Sequence, residues 1–181
     1  MRTRIVGTLM TFLAVTGCQS ELPTHPVADT PVLSVQAGNP VVGRATGSGI
    51  IDQDPTQKNY LRAFEISAVG RADLTATGQW NLILGPNDVS VHGTVTCAAF
   101  DGSSAFIGGT WDRSSFPDDF DESITGVFIE LIDNGEGPGA APDQISSVFF
   151  TQGGGFTPRD FCEDPAPGAV MEITQGNISV N

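Results

Sequence analysis

The chain has 181 residues, and its formal charge of −13 comes from 21 acidic residues against only eight Lys and Arg. This length is sufficient for one domain with a substantial core. So acidic a protein is repelled by phosphate backbones and anionic lipid headgroups, and it lacks the basic stripe of nucleic-acid-binding proteins. We therefore expect no nucleic-acid partner.

The N-terminal residues have the organisation of an export signal. Arg2 and Arg4 precede an apolar run over residues 5–15, which is too short to span a bilayer because spanning takes about 20 apolar residues. The run ends in Val15-Thr16-Gly17-Cys18. This motif resembles the lipobox of bacterial lipoproteins, and the resemblance implies a signal peptide over residues 1–17, cleavage before Cys18 and attachment of lipid, such as palmitate, to Cys18. The alternative is an ordinary signal peptide with a chance cysteine.

Lipid on Cys18 would attach the protein to the bacterial cell envelope, at the outer membrane or the cell surface. Acyl chains contribute about 0.8 kcal/mol per buried methylene, so that attachment needs no basic face. Residues 18–40 follow as a tether, because they show no hydrophobic periodicity and contain four prolines, at positions 23, 26, 31 and 40, which exclude a helix.

Residues 41–181 are expected to form a single all-β domain. Short runs rich in Val, Ile, Thr and Phe alternate with Gly, Asp, Asn and Pro about every ten residues. The predicted strands cover residues 41–52, 64–69, 74–84, 89–99, 105–111, 127–131, 145–151 and 170–180. Connections too short for crossover helices favour antiparallel pairing of about eight or nine strands in a barrel or a barrel-like sandwich. The 22 glycines favour the barrel, since they suit sharply bent strands.

The most regular strand runs from Val89 to Ala99, where apolar and polar residues alternate. This alternation predicts that Cys97 faces inward and His92 outward. With Cys18 assigned to lipid, Cys97 and Cys162 remain as an even pair, and outside the cytoplasm we expect them to form a disulfide. Two separately buried thiols are the alternative.

Two long connections interrupt the regular spacing of the strands, at residues 112–123 and 152–168. Loops of this length are either functional or loosely ordered. The first contains Asp118, Asp119, Asp121 and Glu122. Four acids so close together indicate a solvated, mutually repelling run and not the two separated carboxyl groups of a glycosidase.

Four short motifs are spread over most of residues 44–180: Phe64-x-Ile66-x-Ala68, Gly93-x-Val95, the stretch 133–137 with sequence D-N-G-E-G, and Gly176-Asn177-Ile178. Together they resemble a group of secreted bacterial β-domains in which a strand ends in D-N-G-E-P-G and the domain closes on G-G-N-I. The resemblance implies an all-β fold and no particular activity. This chain departs from the group at Gly137-Pro138, where shorter members have Pro-Gly, and in its two long loops.

Asp133, Asn134, Glu136 and Asp143 form the most site-like cluster of the sequence. Asp-Asn-Gly suits the positive φ angles of a hairpin turn, which is the preferred interpretation. The alternative is a calcium site built from carboxylate and amide oxygens, although the spacing is not that of an EF-hand. Apart from calcium we expect no cofactor.

The sequence leans toward a non-enzymatic role, either binding or a surface function, as a monomer. His92 is the only histidine of the domain, and no nucleophile elbow or zinc-ligand set is present. Two alternatives use the interior of the barrel. One is an enzyme with Glu130 as a desolvated carboxylate, and the other is a carrier of a small apolar ligand lined by Phe and Trp.

Overall fold

The structure is a computed structural model that describes residues 38–51, 61–85, 87–115, 124–146, 149–152 and 155–181. The signal peptide, Cys18 and nearly all of the tether lie outside these residues, as does the acidic run 118–122. Within the described part, the strands are β1 (Val41–Ile51), β2 (Leu61–Arg71), β3 (Ala76–Leu84), β4 (Val89–Asp101), β5 (Ser104–Trp111), β6 (Ile124–Ile132), β7 (Gln144–Ser146), β8 (Phe149–Gln152) and β9 (Val170–Val180). A 3-10 turn (Arg113–Ser115) and one helix, α1 (Pro158–Glu163), complete the elements.

The strands form one antiparallel sheet that closes into a ring. From β1 to β6 each strand pairs with the next, and β7 and β8 pair with successive parts of β6. The last strand, β9, pairs with β7 on one side and with β1 on the other. The result is an up-and-down barrel with eight strand positions. The all-β, antiparallel prediction is confirmed, and the barrel is the alternative that the structure adopts.

The interior of the barrel is filled with apolar side chains. Inward-facing and outward-facing residues alternate in β2, where Phe64, Ile66 and Ala68 are buried while Glu65 and Ser67 are exposed. In β3 the inward-facing side chains include Trp80, Leu82 and Leu84, all of which are less than 5 % exposed. The same cluster includes Val91, Val95, Ile107, Val127, Ile129, Leu131, Ile145, Ile173 and Ile178.

Trp80 lies at the centre of this packing, over two glycines of the neighbouring strands. A β-carbon on Gly93 would lie 2.4 Å from Cζ2 of Trp80, and one on Gly109 would lie 2.7 Å from its Nε1. The rings of Trp80 and Trp111 are perpendicular, with 4.6 Å between their centroids. Both glycines are therefore needed for the indole to fit inside the barrel.

Cys97 does not face inward as the alternation predicts. The pairing of β4 with β5 shifts between Val95 and Cys97, so Thr96 is an extra residue in β4. The shift reverses the faces of the strand beyond it: Ala98 turns to the interior, and Cys97 lies on the outer surface. Cys97 is nonetheless only 1 % exposed, because another segment covers it.

That cover is helix α1, in a connection for which the sequence predicts no secondary structure. The backbone N–H of Thr157 donates to the carboxylate of Asp160, and the Thr157 hydroxyl accepts from the Asp160 N–H. This capping box, with Pro158 in the first turn, is a standard helix start. On its buried side the helix contributes Phe161, which packs with Phe106 and Phe128 on the outer face of the barrel.

A disulfide joins Cys162 of α1 to Cys97 of β4, with 6.2 Å between their Cα atoms. The predicted pairing is thus confirmed, and it fastens the long connection to the barrel wall. Among the described residues, no helix is long and apolar enough to cross a membrane.

Candidate functional site

The predicted calcium ligands lie in the loop between β6 and β7, where the structure gives them hydrogen-bond partners within the protein. Asp133 accepts from the backbone N–H of Gly135 at 2.8 Å and of Val180 at 3.0 Å. Asp143 is 6 % exposed and accepts from the N–H groups of Asn134 at 2.8 Å and Ile178 at 2.7 Å. These carboxylates therefore attach the loop to the last strand.

The other two predicted ligands make similar contacts. The Asn134 amide donates to the carbonyl of Pro142 at 2.5 Å, and Glu136 accepts from the Asn177 amide at 2.6 Å. No group of three or more His, Cys, Asp or Glu side chains that could hold a metal ion occurs in the described ranges. The geometry supports the turn interpretation of this motif and offers no support for a calcium site.

Glu130 is buried, as the sequence predicts, with 5 % of its surface exposed. It lies on the outer face of β6 together with Phe128, and not in the barrel interior. Its Oε2 accepts a hydrogen bond from the backbone N–H of Gly168 at 3.2 Å. The contact ties the segment that follows α1 to the barrel wall, which is a structural role.

A concave surface lies outside the barrel, across β9, β1, β2, β3 and β4. Two rows of polar side chains cross these strands, each row with one residue from each strand in register. The first row is Asn177, Ser48, Glu65, Asn81 and His92, and the second is Ser179, Thr46, Ser67, Gln79 and Thr94. Together with Ser90 and Asp112 they line a cavity of about 900 Å³, which we call the polar groove.

The polar groove runs perpendicular to the strands, between the two rows. Its floor is the backbone of the inward-facing residues Gly47, Ile66, Trp80 and Gly93, which stand between the rows in the same register. Five strands give four spacings of about 4.8 Å, so the groove is about 19 Å long, and about 7 Å separate its two walls.

Most side chains of the two rows are exposed and form no hydrogen bond with other described residues. Within the described residues, Thr46, Ser48, Glu65, Ser67, Gln79 and Thr94 make no side-chain hydrogen bond to protein. Asn81 is an exception, since its Oδ1 accepts from the hydroxyl of Ser90 at 3.0 Å, which orients the carboxamide. The groove thus presents hydroxyl, carboxamide and carboxylate groups to whatever occupies it.

At one end of the groove, His92 Nε2 lies 3.3 Å from Asp112 Oδ2. Asp112 also accepts from the hydroxyl of Ser114 at 2.7 Å and from its backbone N–H at 3.0 Å. These Ser114 hydrogen bonds, assisted by His92, hold the pKa of Asp112 below its usual value. Asp112 therefore remains a carboxylate and is unsuited to act as a general acid.

A second, smaller groove of about 390 Å³ lies on the other side of the first row and shares Ser48, Glu65 and Asn81 with the polar groove. Its far wall is more apolar and includes Ile50, Ala63 and Ile83. Ile50 is 47 % exposed. The first row therefore has a polar groove on one side and a partly apolar groove on the other.

The alternation in the sequence of β4 predicts that His92 faces outward, but it does not predict the groove to which His92 belongs. One signal was available, because the outward positions that form the groove are mainly Ser, Thr, Asn and Gln, and none of the described lining residues is Lys or Arg. Comparison of the chain with protein-family models, with curated proteins and with solved structures finds no match.

Proposed function

We propose that this protein is a non-enzymatic binding domain, a monomer held at the bacterial cell envelope by lipid on Cys18, and that it binds its ligand in the polar groove. The observation that carries the proposal is the double row of polar side chains across five adjacent strands, six of which make no side-chain hydrogen bond within the described part of the chain. A surface that served only solubility would more commonly present charged residues. The lipobox supports the envelope location, because the resemblance assigns Cys18 to lipid.

The composition of the groove favours binding over catalysis. Hydrolysis of a glycoside needs one carboxyl group that stays protonated and a second that stays ionised. The two carboxylates of the groove are Glu65, which is exposed, and Asp112, whose pKa is lowered by Ser114. The only histidine described, His92, is paired with Asp112, and no hydroxyl of the described residues is hydrogen-bonded to its ring.

The barrel interior favours the same conclusion. A carrier of a small apolar ligand needs a lined internal space, whereas the interior positions here hold packed side chains such as Trp80, Leu82 and Ile107, none more than 1 % exposed. Both cavities described above open on the outer surface. The ligand is therefore expected outside the barrel.

The location is tested by expressing the full chain in a bacterial host with an alkyne analogue of palmitate. We expect labelled protein in the membrane fraction. The Cys18→Ala variant should carry no label and should be absent from the membrane fraction. Labelling that persists in Cys18→Ala would contradict the assignment.

Binding is tested by NMR on the mature chain carrying Cys18→Ala, exported so that its disulfide forms, and titrated with the dialysed soluble fraction of an envelope extract. Shifts are expected at backbone amides of β1 to β4 and β9 that line the groove. Shifts clustered elsewhere, or an unchanged spectrum, would overturn the proposed binding surface.

A further inference from the structure

We infer that the polar groove takes an uncharged polyhydroxylated chain, an oligosaccharide of about four sugar units lying across the strands. This inference rests on the proposed function, because it names the ligand class of the same groove. Four independent properties of the groove lead to it: its hydrogen-bonding groups, its charge, its length and the absence of a free strand edge along it.

The hydrogen-bonding groups of the groove match those of a sugar. Hydroxyl groups of Ser and Thr both donate and accept, and carboxamides of Asn and Gln offer two donors and an acceptor. A sugar presents hydroxyl groups with the same dual capacity along its whole length. An apolar ligand would instead desolvate these side chains without giving them partners, at a large cost in free energy.

The charge of the groove selects against anionic chains. In the described part of the chain no Lys or Arg lines it, while Glu65 and Asp112 both do. The chain that remains after cleavage before Cys18 has six basic residues against 21 acidic ones, a formal charge of −15. A phosphate-containing or uronic acid polymer would meet like charge in the groove and around it.

The shape of the groove selects a linear chain. Its length of about 19 Å, set by four strand spacings, matches the extended length of a tetrasaccharide. A peptide bound by strand addition would need a free strand edge, but β1 to β4 are each paired on both sides. At the β9 end of the groove, the N–H groups of Ile178 and Val180 already donate to Asp143 and Asp133. A ligand here must therefore bind through side chains.

Glu65 lies at the centre of the first row, with Ser48 on one side and Asn81 on the other. A carboxylate only accepts hydrogen bonds, and bonds to a charged acceptor are stronger than neutral ones. Two adjacent hydroxyl groups of one sugar unit can donate to its two oxygens. We therefore assign Glu65 as the main acceptor of the site.

Among the described residues, no Phe, Tyr or Trp side chain stands on the walls of the groove for a sugar to stack on. Hydrogen bonds exchanged with water contribute little net free energy each, so the affinity of one site should be weak, with a Kd of about 1 mM. Many copies tethered to one envelope would bind a long glycan by multivalency, which fits a lipid-anchored protein.

The test is an NMR titration of the mature chain carrying Cys18→Ala with three uncharged tetrasaccharides, maltotetraose, cellotetraose and chitotetraose, and with anionic tetragalacturonate. We expect saturable shifts at groove amides with at least one uncharged chain and none with the anionic chain. Glu65→Gln and Asn81→Leu should each weaken binding about 3- to 10-fold. Thr77→Val, on the outer face of β3 but outside the groove, should change nothing.

The outcomes separate this inference from the proposed function. Groove shifts with the envelope extract but with no uncharged tetrasaccharide would overturn the ligand class and leave the binding function standing. Tighter binding of tetragalacturonate than of the uncharged tetrasaccharides would also overturn the ligand class. An unchanged spectrum with every ligand, the extract included, would overturn both. New reducing ends in the titrated sample would support the ligand class and overturn the non-enzymatic role.

Discussion

The Oδ2 atom of Asp143 accepts a hydrogen bond at 2.7 Å from the backbone N–H of Ile178, and this bond joins the β6–β7 loop to the last strand. Strand β9 pairs with β7 only through residues 170–172, so its later N–H groups on that side lack a neighbouring strand. Asp143 and Asp133 supply acceptors to Ile178 and Val180 in place of strand carbonyls. Carboxylate side chains thus complete the barrel at this seam.

Replacing Asp143 by Ala should destabilise the protein by about 3 kcal/mol, because the N–H groups of Ile178 and Asn134 would lose their acceptors in a buried or partly buried environment. Urea unfolding followed by circular dichroism measures the loss. Asp164→Ala is the matched control, since Asp164 is exposed just after α1 and should change the free energy of unfolding by less than about 0.5 kcal/mol. Equal stability of the two variants would contradict the seam interpretation.

The contacts at this seam explain why the D-N-G-E and G-N-I motifs could be recognised in the sequence although the contacts between them could not be predicted. The D-N-G-E turn and the terminal G-N-I were both recognised, yet neither indicates that Glu136 contacts Asn177 or that Asp143 contacts Ile178. Those contacts join residues more than 30 positions apart, and local periodicity contains no information about such distances. The same oxygen-rich residues therefore suggested calcium, when Asp133 and Asp143 accept from backbone amides, Glu136 accepts from the Asn177 side chain and Asn134 donates to a backbone carbonyl.

Gly93→Ala should destabilise the barrel by about 2–3 kcal/mol, an overpacking effect. The added β-carbon would lie 2.0 Å from the carbonyl oxygen of Thr110 and 2.4 Å from Cζ2 of Trp80, so both a backbone and an indole would have to move. Urea unfolding gives the free energy, and near-ultraviolet circular dichroism reports the environment of the indoles. A β-carbon added to Gly155 would have no atom within 4 Å, so Gly155→Ala serves as the control. A Gly93 variant as stable as the control would show that the indole packs elsewhere.

Removal of the disulfide by Cys97→Ala with Cys162→Ala should lower the free energy of unfolding by about 4 kcal/mol, on the loop-entropy model for a closed loop of 65 residues. It should also release α1 locally, because Phe161 would then hold the helix without a covalent bond. Hydrogen exchange of the α1 amides measures this release. Cys18→Ala should leave stability and exchange unchanged. Unaltered protection of α1 in the double variant would contradict a fastening role for the bond.

The side of the barrel that carries this disulfide was the part of the fold that local sequence could not predict. The alternation of β4 continues without interruption from Val89 to Cys97, and Ala98 and Ala99 are both small and apolar. Nothing in these residues indicates a bulge at Thr96, because the bulge is a feature of the pairing between β4 and β5. The interior rows of β2 and β3 were predictable, since each has one large apolar face and one polar face.

Ser114→Ala should raise the pKa of Asp112 toward its ordinary value, because the hydroxyl of Ser114 is the first cause of its lowering. Asp73 provides an internal control: it accepts from the hydroxyl and N–H of Thr75 in the same pattern, which lowers its pKa to about 2, and it should not respond. The pKa of Asp112 is lower in the folded protein than in the unfolded protein. The hydrogen bonds from Ser114 to Asp112 therefore stabilise the fold at pH values above the pKa of the unfolded protein, and this stabilisation is lost as the pH falls through the pKa of the folded protein. Carboxyl carbon shifts in an NMR pH titration measure both groups, and an unmoved Asp112 would show that Ser114 does not set its charge at the end of the polar groove.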